Sequence, residues 1–223
     1  MTFSIAGACA KTGMVGCAIS SSSICVTSRC AFVRSGIGVA LTQNITNPNL
    51  GPLALDLLSD HTTQGSILEA LANNDPHIEW RQLGVLGVDG EGITFSGDKA
   101  LGIHASATGQ HCIALGNLLS NAHVPQTMIS SFENSSGHLA KRLLTALEAG
   151  LKQGGESGPV HAAGLLVAAE PDWPVVDLRV DWSDDPINKL SSIWQEYHLQ
   201  IEDYILRAED PSNADSFGVP GDE

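Results

Sequence analysis

The first 23 residues constrain the fold most, because they have the pattern of a β-hairpin. Residues 3–9 and 14–19 are two runs of small or apolar residues, and a short turn that contains glycine separates them. Facing residues of a hairpin have numbers with a constant sum. A turn centred on Thr12 sets that sum near 24, so Thr2 is predicted to lie opposite about Ser22, within two residues.

The hairpin places the serines of residues 20–23 beside the start of the chain. Met1 is normally removed when a small residue such as Thr2 follows it. Removal leaves a hydroxyl and a free α-amine on one residue, and an α-amine with a pKa of roughly 7.7–8 can take the hydroxyl proton. The alternative is an ordinary first strand, since serine is also a common turn residue.

Composition favours one layered domain. The chain has 223 residues, of which 43% are hydrophobic and only 5% are aromatic, and it contains 23 glycines. A core of Ala, Val, Ile and Leu with closely packed backbones suits an α/β or α+β protein better than a helical bundle. No linker-like stretch interrupts residues 1–207, which we expect to form a single domain, and residues 208–223 form an acidic tail.

The charge of the chain excludes some partners. The net charge is −14, and the 11 basic residues are not clustered, so neither nucleic acid nor an anionic membrane surface is an expected partner. No apolar run approaches the roughly 20 residues that span a bilayer, and no signal-peptide pattern is present. We therefore expect a cytoplasmic protein that acts on a small molecule.

Periodicity and turn residues predict an alternation of strands and helices along the rest of the chain. Residues 24–27 are a short apolar piece, 29–34 a turn or short helix, and 104–111 a small polar stretch. The predicted strands are residues 36–43, 82–88, 92–97, 112–117, 162–168 and 175–180, and the predicted helices are residues 52–58, 66–72, 124–132, 136–152 and 185–207.

Several polar residues sit where chemistry is possible. Gln43, Asn44 and Asn117 end predicted strands, where an amide either lines an oxyanion site or ties down a turn. Asp177 and Arg179 share one face of a strand, which is typical of a solvated face or of an ion-pair network near a site.

Other chemistries find less support. The chain has no Walker A motif, no dinucleotide-binding glycine fingerprint, no HExxH and no GxSxG. A metal site built from His104, His111 and His161 remains as a third hypothesis. We expect no cofactor and no metal.

Seven segments and the chain terminus together resemble one bacterial family, the Ntn-hydrolase-like family known as domain of unknown function 1028 (Ntn, N-terminal nucleophile). The segments are residues 1–5, 34–44, 81–83, 102–105, 114–117, 143–150 and 176–181, and residues 217–223 resemble the end of the family's members. The resemblance implies an α+β fold, a four-layer αββα sandwich of the Ntn-hydrolase type. It also implies that the tail docks on assembly, against a neighbouring subunit.

In the wider superfamily an N-terminal Thr, Ser or Cys cleaves amides, and Thr2 is the matching position. Proteasome-like members carry a lysine near the nucleophile. Here the basic residues between Thr2 and Gln43 are Lys11, Arg29 and Arg34, and Lys11 lies at the far end of the hairpin. An arginine supplies charge but cannot shuttle a proton.

The leading hypothesis is an N-terminal-nucleophile amidohydrolase that acts on a small non-peptide amide. Thr2 is the nucleophile, and a wider set is assigned to substrate or oxyanion binding: Ser21, Ser22, Gln43, Asn44, His104, Asn117, Asp177 and Arg179. The alternative is a non-catalytic αββα protein that binds a metabolite or serves in an assembly. We expect a homo-oligomer, because a sheet this apolar tends to need partners.

Overall fold

A computed structural model describes residues 1–216 of the chain. Within that part the strands are β1 Thr2–Ala8, β2 Val15–Ser21, β3 Ala31–Arg34, β4 Gly38–Asn44, β5 Arg81–Gly87, β6 Gly92–Ser96, β7 Ala105–Gly109, β8 Cys112–Asn117, β9 Ala162–Ala168 and β10 Pro174–Val180. The α-helices are α1 Val26–Cys30, α2 Leu50–Ser59, α3 Gln64–Asn74, α4 Val124–Glu133, α5 Leu139–Lys152, α6 Pro186–Tyr197 and α7 Ile201–Glu209, and single 3-10 turns form at Ile78–Trp80 and Pro211–Asn213.

The strands form two antiparallel sheets. The six-stranded sheet has the order β10-β9-β2-β1-β8-β7, and the four-stranded sheet has the order β3-β4-β5-β6. The predicted N-terminal hairpin is therefore the β1–β2 pair, in the middle of the larger sheet. Phe3 pairs with Ser20, so Thr2 is level with Ser21 rather than Ser22, one residue from the predicted register and within the allowed slip.

Side chains alternate between two faces of each strand, and each face has its own core. On β1, Phe3 and Ile5 pack against α4 and α5, whereas Ala6 and Ala8 face the four-stranded sheet. The outer face of the four-stranded sheet packs against α2 and α3. The two sheets thus face one another with helices on both outer sides, and the predicted α+β class is confirmed.

Helix sequences explain how the outer layers attach. The leucines of α5 at positions 139, 143, 144 and 147 form one buried stripe, and the helix ends before Gly154 and Gly155, both with positive φ. In α2, Gly51 lies against the ring of Phe32 on β3, and a Cβ at this position would stand 2.1 Å from a ring carbon. Glycine therefore sets how closely α2 approaches the sheet.

Three segments differ from the sequence-based expectation. Residues 26–34 split into a short helix and a strand, and part of the polar stretch 104–111 forms strand β7. The last predicted helix, 185–207, is two helices that break between Tyr197 and Ile201. The apolar stripe runs through this break because residues on both sides pack against the same core, and no glycine or proline marks the turn.

Helix α7 extends to Glu209, two residues into the predicted tail. The family-like terminal segment 217–223 and its predicted docking lie outside the described residues. No helix within residues 1–216 is long and apolar enough to cross a membrane.

Candidate functional site

Three neighbouring strands bring Ser21, Thr2 and Asn117 into one row. These residues end β2, begin β1 and end β8, and Thr2 pairs directly with Asn117. Alternation along each strand directs them to the face between the sheets, where Ile19 and Leu115 lie two residues further in. Thr2 is 5% exposed, and Ser21 and Asn117 are fully buried.

The Thr2 and Ser21 hydroxyls lie against each other and against the first peptide group. Thr2 Oγ1 is 3.3 Å from Ser21 Oγ, and both hydroxyls donate to the carbonyl oxygen of Met1. The backbone N–H of Ser23 donates to Ser21 Oγ at 3.0 Å. Because the serine proton goes to the carbonyl, the Ser21 hydroxyl is held as a donor to the oxygen of the peptide group that joins Met1 to Thr2.

A buried polar chain continues from Asn117 across to the four-stranded sheet, with Gln82 of β5 at its centre. Gln82 Oε1 accepts from Gln43 Nε2 at 2.8 Å and from Asn117 Nδ2 at 3.1 Å. Gln43 Oε1 in turn accepts from the Ser4 hydroxyl at 2.9 Å. Polar side chains from both sheets are therefore joined where an apolar core would otherwise continue.

The donors and acceptors of this chain have one consistent direction. Gln82 Nε2 donates to the backbone carbonyl of Gly116 at 3.0 Å, and a carbonyl can only accept. The Oε1 atom of Gln82 must then be the acceptor, which makes Asn117 Nδ2 and Gln43 Nε2 the donors. Asn117 Oδ1 is left buried and without a hydrogen-bond partner among residues 1–216. Asn117 thus offers an unpaired acceptor on the strand next to Thr2.

Glu156 adds a carboxylate on the other side of Ser21. It is 4% exposed, and the N–H of Ser22 lies 3.0 and 3.3 Å from its two oxygens. Burial raises the pKa of Glu156 to about 7, against the opposing effect of the chain's amino terminus, the Ser22 hydrogen bonds and His161. A carboxyl group that titrates near neutrality is a feature of functional sites.

His161 lies next to the same end of the sheet. Its backbone N–H donates to Ser21 O at 2.8 Å, which extends the β9–β2 pairing. Its ring stacks on Trp182 with a centroid distance of 4.5 Å, and Nδ1 is 3.2 Å from Ser183 O and 3.5 Å from an oxygen of Asp184. The ring is therefore oriented by three neighbours.

Asn44 has a structural task at the edge of the site. Its backbone has a φ of +73°, a conformation that asparagine tolerates. Its Nδ2 donates to Trp80 O at 2.6 Å, and its Oδ1 accepts from Leu101 N at 3.1 Å. Asn44 thus ties together the loops around the end of the four-stranded sheet, one of the two roles considered for it.

A cleft of about 460 Å³ opens beside these loops, lined by Ile45, His77, Trp80 and Arg81. Arg81 is not available to a ligand, because Nε binds Asp75 at 2.8 Å and Nη1 donates to Ile45 O at 2.6 Å. The Arg81 hydrogen bond is the main cause that lowers the pKa of Asp75 to about 2.

The other predicted site residues lie apart from Thr2. His104 is level with Asn117 but on the chain entering β7, two strands from Thr2, and its ring is exposed. Asp177 and Arg179 form an ion pair at 2.6 Å on the edge strand β10, three strands from β1. Both are exposed, which matches the solvated face considered for them.

The three histidines of the metal hypothesis do not converge. His111 lies in the turn at the opposite end of β7 from His104, level with Gln110 and therefore about 20 Å away at 3.4 Å per strand residue. Residues 1–216 contain no group of three or more His, Cys, Asp or Glu side chains placed to hold a metal ion.

Sequence reasoning missed Gln82, Glu156 and Ser4. Gln82 and Ser4 interrupt otherwise apolar strands on the face between the sheets, and this break in alternation is the one signal that was available. Glu156 follows a glycine pair in a loop, and nothing in the local pattern distinguishes it from a solvated residue.

The fold places this chain in the class of α+β proteins in which two antiparallel sheets face each other and helices cover their outer sides. A group of polar residues surrounds Thr2 at one end of these sheets. The family model described as "Family of unknown function (DUF1028)" matches residues 2–190, and the chain belongs to this family. The family predicted from the sequence motifs is confirmed.

Two solved structures are similar to this chain. A DUF1028-family protein from Silicibacter pomeroyi has a TM-score of 0.81 and 28% identity, over 87% of this chain and 88% of that one. Anbu (ancestral beta-subunit) from Yersinia bercovieri has a TM-score of 0.37 and 12% identity, over 90% and 96% respectively, which is too weak to support a conclusion. None of the curated proteins compared matches this chain.

Proposed function

We propose that this chain is an N-terminal-nucleophile amidohydrolase that acts on a small non-peptide amide after loss of Met1. The observation that carries the proposal is the buried Thr2–Ser21 hydroxyl pair, with both hydroxyls directed at the carbonyl of residue 1. The facing sheets with outer helices support the αββα fold of the Ntn-hydrolase type that this chemistry uses.

Removal of Met1 would turn its peptide position into a substrate site. The Met1 carbonyl now sits where two hydroxyls converge, and an amide substrate placing its carbonyl there meets both of them. Thr2 Oγ1 is then positioned to attack the carbonyl carbon, and the Ser21 hydroxyl donates to the oxygen that becomes negative. Asn117 Oδ1, buried and unpartnered within residues 1–216, accepts from the substrate's N–H.

The α-amine can make every proton transfer of this mechanism without a lysine. The α-amine of Thr2 takes the hydroxyl proton as Oγ1 bonds to the carbon, and the same proton goes to the leaving nitrogen as the C–N bond breaks. The resulting Thr2 ester is hydrolysed by water, with the α-amine again acting as base. The products are an amine and a carboxylic acid, and the hydroxyl is regenerated.

Variants at position 2 test the proposal without changing the processing of the N-terminus. Ala and Ser are both small enough to permit removal of Met1, so Thr2→Ala loses only the side chain that reacts and Thr2→Ser keeps the hydroxyl. Against a panel of chromogenic small-acyl amides, Thr2→Ala should lose at least ~10³-fold in kcat and Thr2→Ser should retain turnover. Thr12→Ala, in the exposed hairpin turn, is the matched control.

Intact mass decides between this proposal and the non-catalytic alternative. A mass short by one methionine supports the mechanism. A full-length mass from the native host would refute it, as would unchanged turnover in Thr2→Ala, and either result would favour a binding or assembly protein.

A further inference from the structure

Glu156 places a buried carboxylate near the start of β1, and the mechanism proposed above gives it no role. The residue lies beyond α5, after the Gly154–Gly155 turn, and pairs with Leu119 in an isolated antiparallel bridge. This turn carries the carboxylate to the end of β2, where the N–H of Ser22 reaches both of its oxygens. Ser22 directly follows Ser21, whose hydroxyl touches Thr2 Oγ1.

No lysine or arginine side chain within residues 1–216 pairs with this carboxylate. A buried ionised carboxylate is costly unless a cation pairs with it, and one neutral N–H is not enough. No Lys or Arg lies within 4.0 Å of Glu156 in residues 1–216. The groups that act electrostatically on it are the α-amine of Met1 and the ring of His161, and His161 also faces Asp184 at 3.5 Å.

We propose that Glu156 binds and orients the α-amino group of Thr2 once Met1 has been removed. This inference rests on the proposed function and assigns a positioning residue to that site. The carboxylate and the Thr2 nitrogen both lie beside Ser21. Ser22, whose N–H binds the carboxylate, follows Ser21 in the chain, and the Ser21 hydroxyl donates to the carbonyl group that the Thr2 nitrogen carries before Met1 is removed. The amine supplies a positive charge when it is protonated, and in either state the carboxylate supplies the acceptor that fixes it.

A hydrogen bond to Glu156 orients the α-amine for its role as the base. The Glu156 carboxylate accepts one N–H, which leaves the nitrogen lone pair free to face Thr2 Oγ1. The hydroxyl proton still goes to the α-nitrogen and then to the leaving nitrogen, and Glu156 ends the cycle as it began. In this proposal a carboxylate, and not a lysine, sets the environment of the amine.

The test measures the amine itself as well as turnover. The pKa of the Thr2 α-amine is obtained from the pH dependence of its acetylation in competition with a reference amine, with mass spectrometry of the N-terminal peptide. In Glu156→Gln the negative charge is lost, so the pKa of the α-amine should fall by about one unit. Exposed Glu69→Gln on α3 is the matched control and should leave it unchanged.

Turnover should change in a manner that separates positioning from folding. In Glu156→Gln the plateau kcat should fall about tenfold with KM within twofold, and the acid limb of the pH profile should move to lower pH with the amine. If the variant fails to fold, the unmodified protein serves. The Glu156 carboxyl carbon and the Thr2 α-nitrogen, followed by NMR, should then show a shared titration step.

The failure of this inference differs from the failure of the proposed function. Turnover that requires Thr2, with an α-amine pKa unaffected by Glu156→Gln or with no shared titration step, overturns the role of Glu156 alone. Retention of Met1 in the native protein overturns both.

Discussion

Replacement of Gln82 by methionine tests the buried chain that joins the two sheets. Methionine has nearly the volume of glutamine, so the change removes hydrogen bonds without opening a large cavity. Gln82 makes four bonds: it accepts from Gln43 and Asn117 and donates to Ser96 Oγ and to Gly116 O, all between 2.8 and 3.1 Å. Each of these atoms loses its Gln82 partner.

The size of the loss in stability depends on which of these atoms remain inaccessible to water. Ser96 is half-buried and can turn to water, whereas the Gln43 amide, the Asn117 amide and the Gly116 carbonyl are buried. An unsatisfied buried donor or acceptor costs about 1–3 kcal/mol, so three of them cost about 3–9 kcal/mol before relaxation. We expect a loss of about 3–5 kcal/mol, a large part of the 5–15 kcal/mol typical of a whole domain.

Urea unfolding monitored by fluorescence and circular dichroism measures this loss, with the free energy extrapolated to water. Gln110→Met, in the exposed β7–β8 turn, is the control and should change the free energy of unfolding by less than about 0.5 kcal/mol. A loss below about 1 kcal/mol in Gln82→Met would show that the chain is hydrated or not formed. The donor direction assigned to Asn117 would then fall with it.

Further predictions concern acid stability, the buried carboxyl, helix packing and assembly. The pKa of Asp75 is lowered from 3.8 to about 2. Its ion pair therefore adds about 2 kcal/mol to the free energy of unfolding above pH 4, and this contribution is lost as the pH falls through 2. In urea titrations Asp75→Asn should lack this pH dependence. The pKa of Glu156 is raised to about 7, so the free energy of unfolding should fall as pH rises from 5 to 8, and Glu156→Gln should reduce that fall. Gly51→Ala should destabilise by about 1–3 kcal/mol against the Phe32 ring, whereas Gly65→Ala, with open space at its Cβ, should not. We expect a homo-oligomer by light scattering at micromolar concentration, and a monomeric mass would contradict this.

Much of the fold follows from the sequence because its signals are local. The Gly-containing turn sets the β1–β2 register to within one residue, and the leucine stripe with its glycine stop fixes α5. Strand β7 is missed because it is short and built from small residues, Ala-Ser-Ala-Thr-Gly, whose alternation of hydrophobicity is weak. It pairs at the sheet edge with β8, and that tertiary pairing decides its conformation.

Less of the site follows from the sequence, because it is assembled from distant parts of the chain. The pairing of residues in the N-terminal hairpin is enough to predict that Thr2 and Ser21 lie close together. The position of Gln82 in the site depends on how the two sheets face each other, and the position of Glu156 depends on the course of the loop after α5. Neither is encoded in local spacing, whereas family motifs could point to Asn117 without giving the direction of its amide.

The buried polar groups near Thr2 that lack a partner bear on the proposed function. A polar chain kept only to join two sheets would satisfy every member, because each unmet buried group lowers stability. From Ser4 to Gln82 the chain meets that condition. At its end it does not: Asn117 Oδ1 is the one buried side-chain oxygen in residues 1–216 without a partner, and the carboxylate of Glu156 has no side-chain counter-ion within 4.0 Å there. Both flank Thr2, one on the neighbouring strand β8 and one beyond Ser21, where the proposed amine and amide would pair with them.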